Sequence, residues 1–260
     1  MSNESKEIKT SDSLINLLQN APDNQVIIDN LTKAYNRINS AIYSKVLCAI
    51  SGGADSDVLL DICFRCDRDN KVDYIWYDTG LEYQATKDHL KHLEEKYNIT
   101  IKKIKAIKPI PLSCKEYGQP FVSKLVSDYL YRLQRHNFQW EDDDFDTLYK
   151  KYPKCKSALA WWCNINLTDS FNIKRNKFLK EFIIANPPTF KISSKCCEYA
   201  KKNVAKKALT DGQYDLNVLG IRKYEGGLRS VAYKSCFDSG SDGYDNFRPL
   251  FWYTNQDRLD

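Results

Sequence analysis

The sequence predicts an α/β fold: a doubly wound parallel sheet with helices added at its N-terminus and a largely helical insertion. Three observations predict it. Between residues 45 and 107 the apolar pattern runs strand, helix, strand, helix, strand, which is how parallel βαβ units read. A further strand-like run returns at 215–223, after a middle region, 112–210, that has helical spacing. At 260 residues the chain is long enough for one sizeable α/β core with an appendage.

Each element has its own signal. Residues 1–43 read as an N-terminal helical segment packing on the core. "SLINLLQN" (13–20) and "VIIDNLTKAYNRI" (26–38) carry apolar residues three and four apart, and Asp12 or Ser13 can cap the first. "KVLCAI" (45–50) is a short apolar run that suits a strand buried on both faces. "DSDVLLDICFRC" (55–66) returns to helical spacing, "VDYIWYD" (72–78) is strand-like, and "EYQATKDHLKHLEEKY" (82–97) is an amphipathic helix. "ITIKKIKAI" (99–107) alternates as a strand, and Pro109 and Pro111 stop it. In the middle, 122–136, 174–184 and the basic stretch 193–209 read as helices. "DLNVLGIRK" (215–223) reads as the last strand, which closes a core domain over 44–235 and leaves 236–260 as an irregular tail.

Composition excludes several classes. Hydrophobic content of 42% and charged content of 28% are ordinary for a globular chain. No run of 18 apolar residues occurs, so no membrane span is expected. The start, "MSNESKEIKTSDS", lacks the apolar stretch of a secretory signal, which predicts a cytoplasmic protein. Nine cysteines is an odd number and fits a disulfide scaffold poorly. A net charge of +5 suits an anionic small molecule and gives only weak support to nucleic-acid binding. The basic runs 101–108 and 201–207 read as solvated faces, the acidic run 141–146 as a surface loop, and His89 and His92 as solvated helix residues. Nothing in the sequence fixes the oligomeric state.

The strongest chemical signal is Ser51-Gly52-Gly53-Ala54-Asp55-Ser56, where a predicted strand hands over to a helix. Glycines let the backbone take positive φ and approach a ligand closely. The unpaired N–H groups of a helix start, together with the helix dipole, favour an anion there. Serine hydroxyls add donors. The turn sits at the carboxyl end of a strand, where ligands bind in open α/β sheets.

S-G-G-x-D-S between strand and helix resembles the PP-loop of ATP pyrophosphatases. "YDTGLEYQAT" (77–86) resembles the D-T-G-x-E-x-x-x-T segment of the phosphoadenosine phosphosulfate (PAPS) reductase family. "GIRKYEGGLR" (220–229) resembles that family's G-[IV]-R-x-x-E-S-x-x-R, with Gly226 where Ser is usual. The motifs fall in the family's order. "ALAWWCN" (158–164), "SKCCEYAKK" (194–202), "YKSCF" (233–237) and "FRPLFWYTNQD" (247–257) are similar to a branch of small PAPS reductase-like proteins. Those relatives usually continue into a G-C-x-x-C-P segment, so a chain stopping at Asp260 is expected to be cut or to have lost it.

The resemblance implies a Rossmann-like, adenine nucleotide alpha-hydrolase-like core that binds ATP or PAPS with Mg²⁺. It implies nucleotide contacts from Ser51, Gly52, Gly53, Ala54, Asp55, Ser56, Asp78, Thr79, Gly80, Lys195, Gly220, Arg222 and Arg229. Asp55, Arg222 and Arg229 are the implied catalytic set: Asp55 receives amides or binds Mg²⁺, and the two arginines clamp phosphate or sulfate. Asp78 has a plain alternative as the cap of the helix near Glu82. Cys163, Cys196, Cys197 and Cys236 are implied ligands of a [4Fe–4S] cluster, with free thiols as the alternative. Cys48, Cys63 and Cys66 read as core. The implied activity is attack on the α-phosphate of ATP, giving AMP and pyrophosphate, to activate an acceptor in sulfur metabolism. Sulfonucleotide reduction is the alternative, and a catalytically inactive nucleotide sensor is another. Family reductases place their thiolate in an E-C-G-[LI]-H segment, which does not occur here. A sulfur donor or thioredoxin-like protein is the implied protein partner.

Overall fold

In the computed structural model, which describes residues 13–225, 232–240 and 242–260, the elements follow in this order. They are α1 (Leu14–Gln19), α2 (Gln25–Ile38), β1 (Val46–Ile50), α3 (Ala54–Cys66), β2 (Val72–Asp78), α4 (Gln84–Tyr97) and β3 (Ile101–Lys105). Then come α5 (Ile110–Tyr117), α6 (Lys124–Gln134), α7 (Phe145–Lys151), α8 (Lys156–Trp162), α9 (Leu179–Ala185) and α10 (Asn203–Asp211). The chain closes with β4 (Leu216–Val218), β5 (Phe237–Asp238), β6 (Asp245–Phe247) and α11 (Asn255–Leu259). Two compact units result: the described part of Met1–Asp78 with Glu82–Lys105 and Val204–Asp260, and Thr79–Leu81 with Ala106–Asn203.

The first unit is built on a six-stranded sheet of order β3-β2-β1-β4-β6-β5. It is parallel from β3 to β6, and β5 alone runs antiparallel. β1 is central because its sequence has no polar residue to expose. Val46, Cys48 and Ile50 enter the core shared with α1, α2, α3 and α4, through Leu17, Leu31, Leu60 and Leu90. Leu47 points the other way, into a cluster with Ile75, Leu209 of α10 and Tyr214. The strand's period of two thus feeds both faces, and helices cover both, as the doubly wound reading requires. Ser13 caps α1, its Oγ accepting the Asn16 amide at 3.3 Å; Asp12 lies outside the described residues.

Three expectations change. The tail 236–260 is not irregular: β6 pairs parallel with β4, Leu216 opposite Asp245, and Phe247, Leu250, Phe251 and Tyr253 are buried. Strands of two and three residues are too short to display a period, so the sequence concealed them. The expected strand over 215–223 is only Leu216–Val218, since the chain turns away before Gly220. The core expected over 44–235 also loses 106–203 to the second unit.

That second unit has its own core. Val126, Leu130 and Leu133 of α6 pack with Leu148, Leu159, Trp161, Trp162, Ile173 and Ile183. Of the helix expected over 193–209, the turn from Cys196 includes a π stretch, Glu198–Lys202, and α10 follows it. The acidic run 141–146 does work as a surface segment: Asp144 caps α7 through the Thr147 amide at 2.9 Å, and Glu141 pairs with Lys151 at 2.6 Å.

Candidate functional site

Glycine is needed at 52 and is optional at 53. Gly52 has φ +75°, and a Cβ there would lie 2.9 Å from Thr86 Cγ2. Gly53 is extended, φ −106° and ψ 160°, and is the N-cap of α3. A Cβ at 53 would meet nothing nearer than Ser51 Oγ, at 3.7 Å. Ser56 is buried and builds the turn: its Oγ accepts the Gly53 amide at 3.1 Å and donates to the Gly53 carbonyl at 2.7 Å. The Ser51 hydroxyl donates to Ser56 Oγ at 3.2 Å. Ser51, Gly53 and Ala54 are exposed. The amides of Ala54 and Asp55, in the first turn of α3, take no backbone acceptor among the described residues. The turn therefore presents an open, positively polarised surface at the helix start.

The third motif closes on this turn. Arg222 is 5% exposed, and its Nε lies 3.0 Å from Asp55 Oδ1. Its Nη1 donates to Asn255 Oδ1 at 3.1 Å. Arg258 of α11 reaches the same Asp55 oxygen at 3.3 Å and remains partly exposed. Gly220 packs so closely that an added Cβ would be 3.2 Å from the Asp55 carbonyl oxygen. Asp55, expected to face backbone amides or a cation, instead anchors two guanidiniums. Arg222, expected to clamp an anion, lies against the turn on Asp55. Asn255 and Arg258 were missed from sequence. Their signal was the T-x-x-D capping box of Thr254 and Asp257, which starts a helix in the tail.

The second motif joins at Thr86, the side chain against Gly52. Asp78, at the end of β2, pairs with Lys103 at 2.7 Å. Thr79 and Gly80 fall in the second unit. There the Thr79 carbonyl accepts the Ile110 amide at 2.9 Å, and Gly80 takes φ +83° against Pro109. His89, expected to be solvated, has Nε2 2.8 Å from Asp57 Oδ2.

Lys195 also lies in the second unit, its Nζ 5.4 Å from the ring centres of Tyr117 and Tyr131. Arg229 and Gly226 lie outside the described residues. Among the cysteines, Cys48, Cys63 and Cys66 are fully buried, as expected of core thiols, and burial drives the Cys66 thiol far up. Cys163 donates to the Asp143 carbonyl at 3.8 Å. Burial, then the neighbouring Cys197 and Cys114, push Cys196 up to about 11. Cys236 belongs to the first unit and is partly exposed. Among the described residues no three His, Cys, Asp or Glu side chains are grouped to hold a metal ion. Cys163, Cys196 and Cys197 lie in the second unit and Cys236 in the first, so the four predicted [4Fe–4S] ligands do not form a group within either unit.

No helix of the described residues is long and apolar enough to cross a membrane. Residues 45–158 match the family model of the phosphoadenosine phosphosulfate reductase domain. No curated protein matches the chain. Among solved structures, the phosphate complex of phosphoadenylyl-sulfate reductase from Candida auris is 14% identical, covering 95% of this chain and 82% of that one, with TM-score 0.44. Yeast FAD synthetase with FAD is 10% identical, covering 95% and 62%, with TM-score 0.40. The NH3-dependent NAD synthetase from Campylobacter jejuni is 14% identical, covering 72% and 95%, with TM-score 0.33.

Proposed function

We propose, on the premise that residues 45–158 form a domain of the phosphoadenosine phosphosulfate reductase family, that this chain binds an adenine nucleotide on its glycine turn and acts at the α-phosphate. One observation carries the reading. The three motif segments meet at the turn: Thr86 against Gly52, and Gly220 and Arg222 against Asp55. The turn also lies where β1 has β2 on one side and β4 on the other, the point at which the strand order reverses and open α/β sheets bind ligands.

The residues divide the work. The amides of Ala54 and Asp55 and the Ser51 hydroxyl donate to phosphate oxygens. Ser56 and the Arg222–Asp55–Arg258 cluster keep those donors aimed. Arg258 has a partly exposed guanidinium and supplies the positive charge that the sequence reading gave to Arg222. An acceptor nucleophile forms its bond to the α-phosphorus as the bond to the bridging oxygen breaks. The electron pair leaves with pyrophosphate, and the fixed donors stabilise the charge that develops. A sulfur donor or thioredoxin-like protein would act on the activated acceptor.

The test is product analysis. Purified protein is incubated with ATP and cell-derived acceptor fractions, and AMP and pyrophosphate are quantified. Equimolar AMP and pyrophosphate are expected, and Gly53→Val abolishes them. ADP as product, or sulfite release from PAPS with a thioredoxin and no AMP from ATP, would overturn the reading.

A further inference from the structure

The second unit contains a cavity of about 630 Å³ that the nucleotide turn does not use. Its volume is in the range of small-molecule sites. Four rings that are not buried line it: Tyr117, Tyr131, Trp140 and Phe190, the last 43% exposed. Three cations share the lining, Arg135, Lys191 and Lys195. The acidic residue among the described lining, Glu116, is held by Lys108. The site therefore combines flat π faces with uncompensated positive charge.

The walls are built rather than incidental. The Gln134 side chain clamps the 190–192 segment to α6, donating to the Phe190 carbonyl at 2.8 Å and accepting the Ile192 amide at 2.8 Å. The Gln119 amide donates to the Lys191 carbonyl at 2.8 Å, so that segment is fixed from both sides. Trp140 has φ +56°, a backbone state that a bulky residue rarely takes. Its ring is fixed there by Phe138, edge-on at 5.7 Å, and by Trp162 at 6.0 Å. Strain of this kind persists only where the surroundings enforce it, and it gathers at ligand sites.

We propose that this cavity is a second ligand site, which takes the base of a nucleotide between its rings and the attached phosphate on Lys191, Lys195 and Arg135. Base–aromatic stacking with backbone-tracking cations is the chemistry by which proteins hold nucleotides without reading sequence. The nucleotide can be free or one residue of a single strand. This site stands apart from the proposed chemistry at the glycine turn and does not depend on it.

Two probes separate the sources: a fluorescein-labelled 12-residue single-stranded DNA followed by anisotropy, and AMP followed by calorimetry. The AMP titration uses protein carrying Gly53→Val, which silences the glycine turn. Phe190→Ala is expected to weaken whichever probe binds by about tenfold or more, in line with the stacking contribution of one base. Lys191→Gln is expected to lower the salt slope of strand binding by about 0.7. Both side chains are exposed, so both variants should melt with the parent protein. Loss confined to the strand identifies the strand as ligand, and loss of AMP binding identifies the free nucleotide. Gly53→Val is expected to leave strand binding unchanged. If neither probe binds, or if Phe190→Ala binds both as the parent does, the proposal is wrong. AMP and pyrophosphate release tests the glycine turn independently.

Discussion

Gly52 and Gly53 are neighbours with opposite reasons for being glycine, and substituting each in turn tests the site. At Gly52 the φ of +75° costs a side chain ~1–2 kcal/mol, because Cβ crowds the carbonyl. A Cβ 2.9 Å from Thr86 Cγ2 adds to this, since Thr86 sits on a packed helix. Gly52→Ala should therefore lose about 2–3 kcal/mol in all, within the range of strained positions. For a chain of this size that is a fall in melting temperature of roughly 4–10 °C. At Gly53 the backbone is already extended and the nearest atom to a new Cβ is 3.7 Å away. The entropy gained by replacing glycine, ~0.4–1 kcal/mol, is offset by the loss of a favourable N-cap residue. Gly53→Val should melt within a degree or two of the parent, yet its methyl groups stand over the open amides of Ala54 and Asp55. ATP affinity, read by calorimetry, should fall more than about tenfold, the effect of losing ~1.4 kcal/mol or more. Gly52→Ala melting with the parent would refute the account of the turn. A stable Gly53→Val that binds ATP normally would refute the anion cradle.

Asp215 tests how β1 is anchored. Burial pushes its carboxyl up, but the Ser44 amide and hydroxyl, both at 2.7 Å, and the Lys45 amide at 3.0 Å outweigh it, so it ionises below the ordinary 3.8. That stability is complete above about pH 4 and is lost as pH falls through the lowered value. Asp215→Asn should cost about 1–3 kcal/mol at pH 7 and remove part of the acid limb. Urea midpoints between pH 2 and 7 would show it, and a parallel shift at every pH would contradict it. Arg222→Met should cost about 3 kcal/mol by leaving Asp55 half-paired. Adding Asp55→Asn should recover most of that loss, measured by urea melts. A stable Arg222→Met that fails to bind ATP would instead restore Arg222 to the role of phosphate clamp.

The sheet was legible where the chain is buried on both faces or alternates cleanly. Val46–Ile50 is an uninterrupted apolar strand, Val72–Asp78 is apolar but for Asp73 and Asp78, and α2, α4 and α6 carry three- and four-residue spacing, with side-chain caps from Asn24 on α2 and Ser123 on α6. β5 and β6 were not, because two or three residues hold no measurable period, and β4 showed only inside a longer expected strand. Their place is set by partners far away in sequence, such as Tyr43, whose hydroxyl donates to Asp245 at 2.6 Å. The boundary of the second unit was hidden for another reason. It falls inside a motif, between Asp78 and Thr79, where composition does not change.

The site was legible as a location but not as a division of labour. A motif fixes which residues recur together, and recurrence follows equally from touching a ligand and from holding the residues that touch it. Asp55 and Arg222 show the difference. Each has the right charge for phosphate or metal chemistry, and with no coordinates that charge points to the ligand. In the fold their charges are used on each other, at 3.0 Å, one carboxylate oxygen serving two guanidiniums. A buried arginine needs such a partner more than an exposed phosphate needs a third donor, since an unpaired charge in the interior costs far more than a surface contact returns. The groups that the proposed function gives to an anion are ones a sequence does not advertise: backbone amides opened by Gly53, and Arg258 in a segment that carried no periodic signal.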